Sequence, residues 1–333
     1  MELLISVYDV RKRFNLEAGF FAALGRYVYA VNGLSFSIHE NESYGLVGES
    51  GCGKTTLARL LVRMYNYDSG KIKYRGVDID SYGKKDLEKY RQKVKYVFQD
   101  PARSLNPRMN IYNVLTSALR WSDTLKNRET SKLLREKAGA ILEEVGLGSA
   151  DLDRRPAEFS GGQRQRISIA RGLLAEPELL ICDEVVSALD VSIQAQILNL
   201  LMDIRRRRNI SFLFIAHDLK VASWFCDRIG VMYSGEMMEE ASAEDLYKTA
   251  AHPYTQLLFS SVINKNAGNQ INKDTEKGRS EITTALAEIT GCAFAERCPK
   301  AQEQCLREKP QLKEIAPGHT LRCFYPSFSD TVA

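Results

Sequence analysis

The sequence predicts an open α/β fold, and three observations predict it. Short apolar runs at residues 43–47, 95–98, 179–182 and 212–216 have the length and composition of buried strands, and helical patterns separate them. Three of these runs end directly on polar residues: Gln99, Asp183-Glu184 and His217-Asp218. Open α/β sheets place their chemistry just past strand ends. The remaining run is followed by Gly48-Glu49-Ser50-Gly51-Cys52-Gly53-Lys54-Thr55, with a second threonine at Thr56. This fits G-x-x-x-x-G-K-[ST] at every fixed position, between a strand and a helix.

That arrangement wraps backbone N–H groups around a polyphosphate. The glycines allow close approaches that a Cβ would forbid. Lys54 can reach the β- and γ-phosphates, and the Thr55 hydroxyl can sit on Mg²⁺. A chance glycine-rich turn does not produce a match this complete in this context, so the chain is expected to bind a nucleoside triphosphate.

In order, residues 3–13 and 27–38 read as strands, the second with a turn at Asn32-Gly33. Between them lies a loop with exposed aromatics. After the phosphate loop and its helix come a turn at Asp68-Ser69-Gly70, a strand over 71–74 and a charged helix over 86–93. Residues 100–110, with two prolines and no periodicity, read as a loop, and 111–146 read as helical. Gly161-Gly162 precedes a helix over 163–175, and a further helix spans 192–207. Residues 228–240 form a hairpin with Ser234-Gly235 at its turn. A break is expected near Ala241, and residues 264–280, rich in Asn, Lys and Gly, read as a linker to a cysteine-bearing tail.

At 333 residues the chain suits two domains, or one with an appendage. The net charge of +4, from 46 basic and 42 acidic residues, is too small to argue for nucleic acid. Its densest basic run, Arg205 to Arg208, falls where cations complement a helix dipole. No apolar run approaches the ~20 residues that span a bilayer, and the acidic N-terminus argues against a secretory signal. The chain is expected to remain in the cytoplasm, any membrane role coming through partners. Of seven cysteines, Cys292, Cys298, Cys305 and Cys323 crowd the last 42 residues. In a reducing compartment such a cluster points to metal rather than disulfides.

Asp183 and Glu184, after four apolar residues, form a second nucleotide element: the aspartate can hold Mg²⁺ and the glutamate can accept a proton from an attacking water. Between them and the phosphate loop stands Phe159-Ser160-Gly161-Gly162-Gln163. With Gln99, Ser187-Ala188-Leu189-Asp190 and His217 in order, residues 3–240 resemble an ABC transporter nucleotide-binding subunit. The pentad departs from the commonest Leu-Ser-Gly-Gly-Gln only at Phe159. The resemblance implies a P-loop NTPase (RecA-like) core with an antiparallel β part and a helical signature subdomain at about 100–172. It also implies that two subunits meet head to tail, each ATP lying between one phosphate loop and the other subunit's pentad. Ser160 and Gly162 would then contact the partner's γ-phosphate and Asp190 would bridge the subunits. Gln99 would sense Mg²⁺ and the attacking water, and His217 would contact the γ-phosphate. The adenine would stack on Phe14, or on Tyr27. Val185 stands where this family usually has proline or alanine after the catalytic glutamate; its side chain is expected to miss the nucleotide.

Residues 99–108, Gln-Asp-Pro-Ala-Arg-Ser-Leu-Asn-Pro-Arg, look like the oligopeptide/dipeptide importer subfamily, as do His252-Pro253-Tyr254-Thr255. So does Gly291-Cys292-x-Phe294-x-x-Arg297-Cys298-Pro299, continuing to Cys305, His319 and Cys323. Residues 25–33 lean toward the second of that subfamily's two ATPases. The resemblance implies an ATPase at the cytoplasmic face of the membrane. Its partners would be a second, homologous ATPase (a homodimer being the alternative), two transmembrane permease subunits and, indirectly, an extracytoplasmic substrate-binding protein. Relatives carry nickel or oligosaccharides, so the cargo stays open.

Five, six and seventeen residues separate the four cysteines. Zinc knuckles use two to four between paired ligands, and four thiolates suit an iron–sulfur cluster. The resemblance to the subfamily tail implies a [4Fe–4S] cluster, the alternatives being zinc and unligated or disulfide cysteines. The extension at 241–333 is expected to carry a structural cluster, its thiolates more than a hundred residues beyond Glu184 across a polar linker. A soluble ABC ATPase of DNA repair or translation would carry a coiled-coil insertion or two ATPase halves, which this sequence lacks. A non-hydrolysing binder conflicts with Glu184 and His217 both being present.

Overall fold

The computed structural model describes residues 2–15, 27–119, 128–187, 189–266 and 290–327. The chain opens with β1 (Leu3–Asn15), β2 (Tyr27–His39), β3 (Ser43–Val47), α1 (Lys54–Leu61), β4 (Ser69–Tyr74) and β5 (Val77–Asp78). Then come α2 (Lys84–Lys93), β6 (Val94–Val97), α3 (Pro101–Ser104), α4 (Ile111–Thr116), α5 (Arg128–Glu144) and α6 (Gly161–Leu173). They are followed by β7 (Leu179–Asp183), α7 (Val191–Arg208), β8 (Ser211–Ala216), α8 (Leu219–Phe225), β9 (Arg228–Tyr233) and β10 (Glu236–Ser242). The chain ends with α9 (Ala243–Thr249), α10 (Pro253–Asn266), α11 (Glu303–Arg307), β11 (Lys313–Ala316) and β12 (His319–Leu321). It divides into two compact units, with the cut inside β8.

The first unit holds residues 1–2, 39–42 and 81–213. Here β6 and β7 pair in parallel, Val94 opposite Leu179 and Val97 opposite Cys182. Every residue of β7 is buried, which is why its sequence is continuously apolar rather than alternating. Helices α4, α5 and α6 pack together through Ile111, Val114 and Leu115, Ala138 and Leu142, and Ile167 and Leu173, all essentially solvent-free. Burial of each large aliphatic side chain contributes about 1.5–3 kcal/mol. The arginine run at the end of α7 is spent locally. Arg205 donates to Asn41 O, Arg207 to Asp203 O, and Arg208 grips Glu144 at the end of α5 (Nε–Oε1 2.8 Å).

The second unit holds residues 3–38, 43–80 and 214–333. One sheet has the order β2-β1-β4-β5, with β1–β4 and β4–β5 antiparallel. A second runs β11-β12-β10-β9-β3, with β3 parallel to β9. The hairpin turn lies at Ser234 (φ 45°) and Gly235 (φ 83°), both left-handed as a two-residue turn of this twist requires.

Two expectations are corrected. Residues 101–104 of the expected loop form α3, because Asp100 caps it: its carboxylate accepts from Ala102 N (2.8 Å) and Arg103 N (3.3 Å), ahead of Pro101 at the first helical position. The helical reading over 111–146 is interrupted: α4 gives way to a 3₁₀ turn at Ser117–Leu119, and residues 120–127 lie outside those described. Strand β10 runs to Ser242, α9 follows at once, and α10 extends to Asn266; the expected linker over 267–280 lies outside the described residues. In the tail, β12 adds to the edge of β10, Glu239 opposite Leu321 and Glu240 opposite Thr320. Pairing satisfies a strand edge that would otherwise stay open.

Glu239 locks that junction. It is fully buried and accepts from Ala251 N (2.7 Å), His252 N (3.0 Å) and His319 Nε2 (2.8 Å). Glu239→Ala leaves two buried backbone donors unpaired, each costing about 1–3 kcal/mol. Urea unfolding is expected to show a loss of about 2–5 kcal/mol; a change under about 0.5 kcal/mol would show that the junction does not depend on it.

Candidate nucleotide site and cysteine pocket

The phosphate loop follows β3, all five residues of which are buried. Gly53 caps α1 with φ 108°, and a Cβ there would lie 1.9 Å from Ala30 O. At Gly48 a Cβ would lie 2.1 Å from Met232 O. Backbone of β2 and β9 therefore presses on the loop at both glycines, and only glycine fits. The hairpin turn adds a hydrogen bond from Gly235 N to Cys52 O (2.9 Å). Helix α1 makes its first backbone bond from Leu57 N to Gly53 O, so the amides of Lys54, Thr55 and Thr56 precede that ladder at the positive end of the helix dipole. The Lys54 ammonium donates to Gly48 O (2.7 Å) and Glu49 O (2.9 Å) and lies 3.7 Å from Cys52 Sγ. Burial pushes the Cys52 thiol up, against the pull of Lys54.

Glu49 is held on every polar side. Its N–H donates to Tyr254 Oη (2.9 Å), and its carboxylate forms a fork with Arg297 (Nη1–Oε2 2.7 Å, Nη2–Oε1 2.8 Å). The two adenine candidates lie on neighbouring strands. Phe14 stands edge-on to Tyr65 (5.7 Å), and the Arg13 guanidinium covers the Tyr27 ring at 4.4 Å. His217 is exposed just past β8, and Asp218 behind it caps α8.

In the first unit, Gln99 Nε2 donates to Glu184 Oε2 at 2.7 Å, joining two of the residues expected to be catalytic. Glu184 has φ 47°, a conformation that costs a non-glycine residue about 1 kcal/mol or more. Ser187 secures it, donating from N (3.1 Å) and Oγ (2.9 Å) to Glu184 O. Asp183 is buried and accepts from the Tyr96 hydroxyl. Val185 is buried too, so its departure from the family residue is a core substitution.

The pentad opens α6. Ser160 caps it, accepting from Gln163 N (3.3 Å), while Gln163 Oε1 accepts from Ser160 N (2.9 Å). Ser160 and Gly161 are exposed at this end. Phe159 is not: it is buried with Arg154 stacked on its ring at 4.4 Å, so it anchors the pentad rather than facing a ligand. Asp190 is exposed at the start of α7. Ala188 lies outside the described residues.

Cys292, Cys298, Cys305 and Cys323 line one small cavity of about 10 Å³, together with His252 and Phe294. Burial, with the other cysteines adding, pushes the Cys323 thiol up to about 11. His252 Nδ1 accepts from Tyr254 N (3.0 Å), which leaves the proton on Nε2; that buried atom has no hydrogen-bond partner among the described residues. Burial lowers the His252 pKa to about 4, so the ring is neutral. Among the described residues no three His, Cys, Asp or Glu side chains are placed to share a metal ion as they stand. Four thiols around one cavity are nonetheless a donor set that suits a soft, thiolate-held centre.

The sequence reading did not assign roles to Arg297, Tyr254 or Tyr96. Tyr254 and Arg297 stood out only as subfamily markers, and nothing in their spacing points to a loop two hundred residues earlier.

Glycine-pinned phosphate loop, carboxylate pair past β7 and serine-capped signature helix together define an ATP-binding protein of the cassette class. Residues 31–187 match the family described as ABC transporter, and residues 238–305 match the oligopeptide/dipeptide transporter C-terminal region. The chain is 42% identical over 323 residues to the oligopeptide transport ATP-binding protein AppF of Bacillus subtilis, covering 97% of each. It is 42% identical over 308 residues to the putative oligopeptide transport ATP-binding protein YkfD of the same species, covering 92% of this chain and 93% of YkfD. Among solved structures it resembles the bacterial ABC transporter cassette MJ0796 (TM-score 0.63, 24% identity, 72% and 99% covered). It also resembles cbiO1 of Clostridium perfringens (TM-score 0.62, 24% identity, 74% and 91% covered). At that identity these two show the fold alone. The chain belongs to the ABC transporter family, as an ATP-binding subunit of its oligopeptide/dipeptide branch. Among the described residues no helix is long and apolar enough to cross a membrane.

Gly53→Ala would force a Cβ against Ala30 O in a left-handed backbone. Titration with a fluorescent ATP analogue is expected to show at least about a hundredfold weaker binding; wild-type affinity would mean that this turn does not shape the site.

Proposed function

We propose that this chain is the ATP-hydrolysing subunit of a membrane importer that takes up di- or oligopeptides through separate transmembrane subunits. The observation that carries the reading is one chain bearing the glycine-pinned phosphate loop, the Gln99–Glu184 contact and the oligopeptide/dipeptide transporter C-terminal region. The relatives' names, oligopeptide transport ATP-binding proteins, support the cargo class.

In this reading the loop from Gly48 to Thr56 binds the triphosphate, with adenine on Phe14, or on Tyr27. Lys54 exchanges Gly48 O and Glu49 O for phosphate oxygens. Thr55, Asp183 and Gln99 would hold Mg²⁺, which supplies charge neutralisation across the β- and γ-phosphates. Glu184 takes a proton from the attacking water, whose oxygen bonds to the γ-phosphorus as the bond to the β-bridging oxygen breaks; ADP and phosphate leave. His217 contacts the γ-phosphate. Gln99 starts this step already bonded to Glu184, so binding need only redirect an existing contact.

Ser160 to Gln163 serve the nucleotide of a second ATPase subunit, with Asp190 at the junction. That subunit is a homologous but different chain, and two permease subunits at the cytoplasmic face of the membrane complete the assembly, fed by an extracytoplasmic substrate-binding protein. Glu184→Gln in the assembled transporter is expected to keep ATP binding while cutting turnover by at least about a hundredfold. Near wild-type hydrolysis would remove the general base from Glu184.

Cys292, Cys298, Cys305 and Cys323 hold a thiolate-bound centre, a [4Fe–4S] cluster rather than zinc. That all four line one cavity supports this reading. The cluster would supply structural cross-linking of the tail. Anaerobically purified protein is expected to be brown, with about four irons and four sulfides per chain, and the Cys298→Ser, Cys305→Ser double variant to be colourless. One zinc and no iron would overturn the cluster in favour of zinc.

A further inference from the structure

We propose that Arg297, assisted by Tyr254, is a positioning residue for the phosphate loop, so that the cysteine-bearing tail sets this chain's affinity for a nucleoside polyphosphate. Arg297 lies between Cys292 and Cys298 and reaches back 248 residues in sequence to close a two-point fork on Glu49. Glu49 is the second residue of the loop, between Gly48 and Ser50. Every polar group of Glu49 is engaged. Tyr254 takes its N–H, Lys54 and Cys52 N donate to its carbonyl (2.9 and 3.3 Å), and Arg297 holds its carboxylate.

The clamp is preorganised. Tyr254, with no solvent exposure, packs on Tyr233 (4.8 Å) and Phe294 (5.2 Å), which pack on each other at 5.3 Å. The Arg297 guanidinium lies over both Tyr233 (5.7 Å) and Phe294 (5.8 Å). Ring contacts and fork together fix the arginine in one rotamer, so little side-chain entropy is lost when it acts. Phe294 also lines the cysteine cavity, so order in that segment decides where the guanidinium sits.

Two consequences favour binding. Arg297 neutralises a carboxylate belonging to a loop that must accept a highly charged anion, and unpaired like charge there would repel the ligand. When Lys54 leaves Glu49 O for a phosphate, the clamp keeps the loop backbone in its cradle. The anchors on Tyr254 and Arg297 do not involve the atoms that Lys54 vacates.

The inference rests on the phosphate-loop reading, so the test separates the two. Full-length protein is titrated with a fluorescent ATP analogue and Mg²⁺, with thermal stability measured in parallel. Lys54→Ala is the control: if it binds as wild type, the loop reading fails. Arg297→Met is expected to weaken binding about tenfold, more at low salt than at high. Arg297→Lys, which keeps the charge and loses the fork, falls between the two. Two results overturn the proposal: Arg297→Met within about twofold of wild type, or an effect that tracks thermal stability and ignores salt. If Arg297→Met fails to fold, Tyr254→Phe carries the test, since it removes only the hydroxyl that accepts Glu49 N–H; unchanged affinity there overturns the clamp.

Discussion

The left-handed turn at Gly53, pressed against Ala30 O, is the constraint on which the second unit depends. A buried parallel strand must hand over to a helix within a few residues, and it must leave the helix's first amides uncovered. Only glycine supplies that geometry at no steric cost. The surroundings then hold the loop from outside: Met232 O under Gly48, the hairpin amide of Gly235 on Cys52 O, and Tyr254 and Arg297 on Glu49. Its shape is stored in backbone contacts, so the loop can present amides to an anion without rearranging.

The tail becomes part of that enclosure through strand pairing. Once β12 joins β10, Glu239 can reach both His319 and the amides ahead of α10. That fixes His252 and Tyr254, and the Tyr233–Tyr254–Phe294 rings carry the order on to Arg297. A segment with little apolar content thus gains its structure from a sheet edge, a buried carboxylate and a ring cluster rather than from a core of its own.

The first unit follows another logic, with strain and anchoring side by side. Glu184 adopts a conformation unfavourable for its residue type, and Gln99 and Ser187 hold it there. The signature helix is set from behind: buried Phe159 under Arg154 fixes the segment, and the Ser160–Gln163 capping box opens the helix with Ser160 and Gly161 exposed. Phe159 in place of the commoner leucine therefore has a local use, since an aromatic ring offers a face to the guanidinium and leucine has none.

Much of the fold and of the local geometry of the candidate nucleotide site was legible in the sequence, because those signals are local. The order Gly48 to Thr55, the acids closing β7 and the Ser160 cap each fix backbone geometry over a handful of residues, and such geometry leaves a pattern in residue type and spacing. Element ends went astray where a single side chain decided them, as Asp100 did for α3. What the tertiary structure alone decided was which distant groups meet. The sequence shows Arg297 only as part of a subfamily pattern in the C-terminal extension, yet the register of β12 on β10 and the ring cluster bring it to Glu49. The energy of that fork belongs to two residues 248 positions apart, and neither one's neighbours in sequence carry any trace of it.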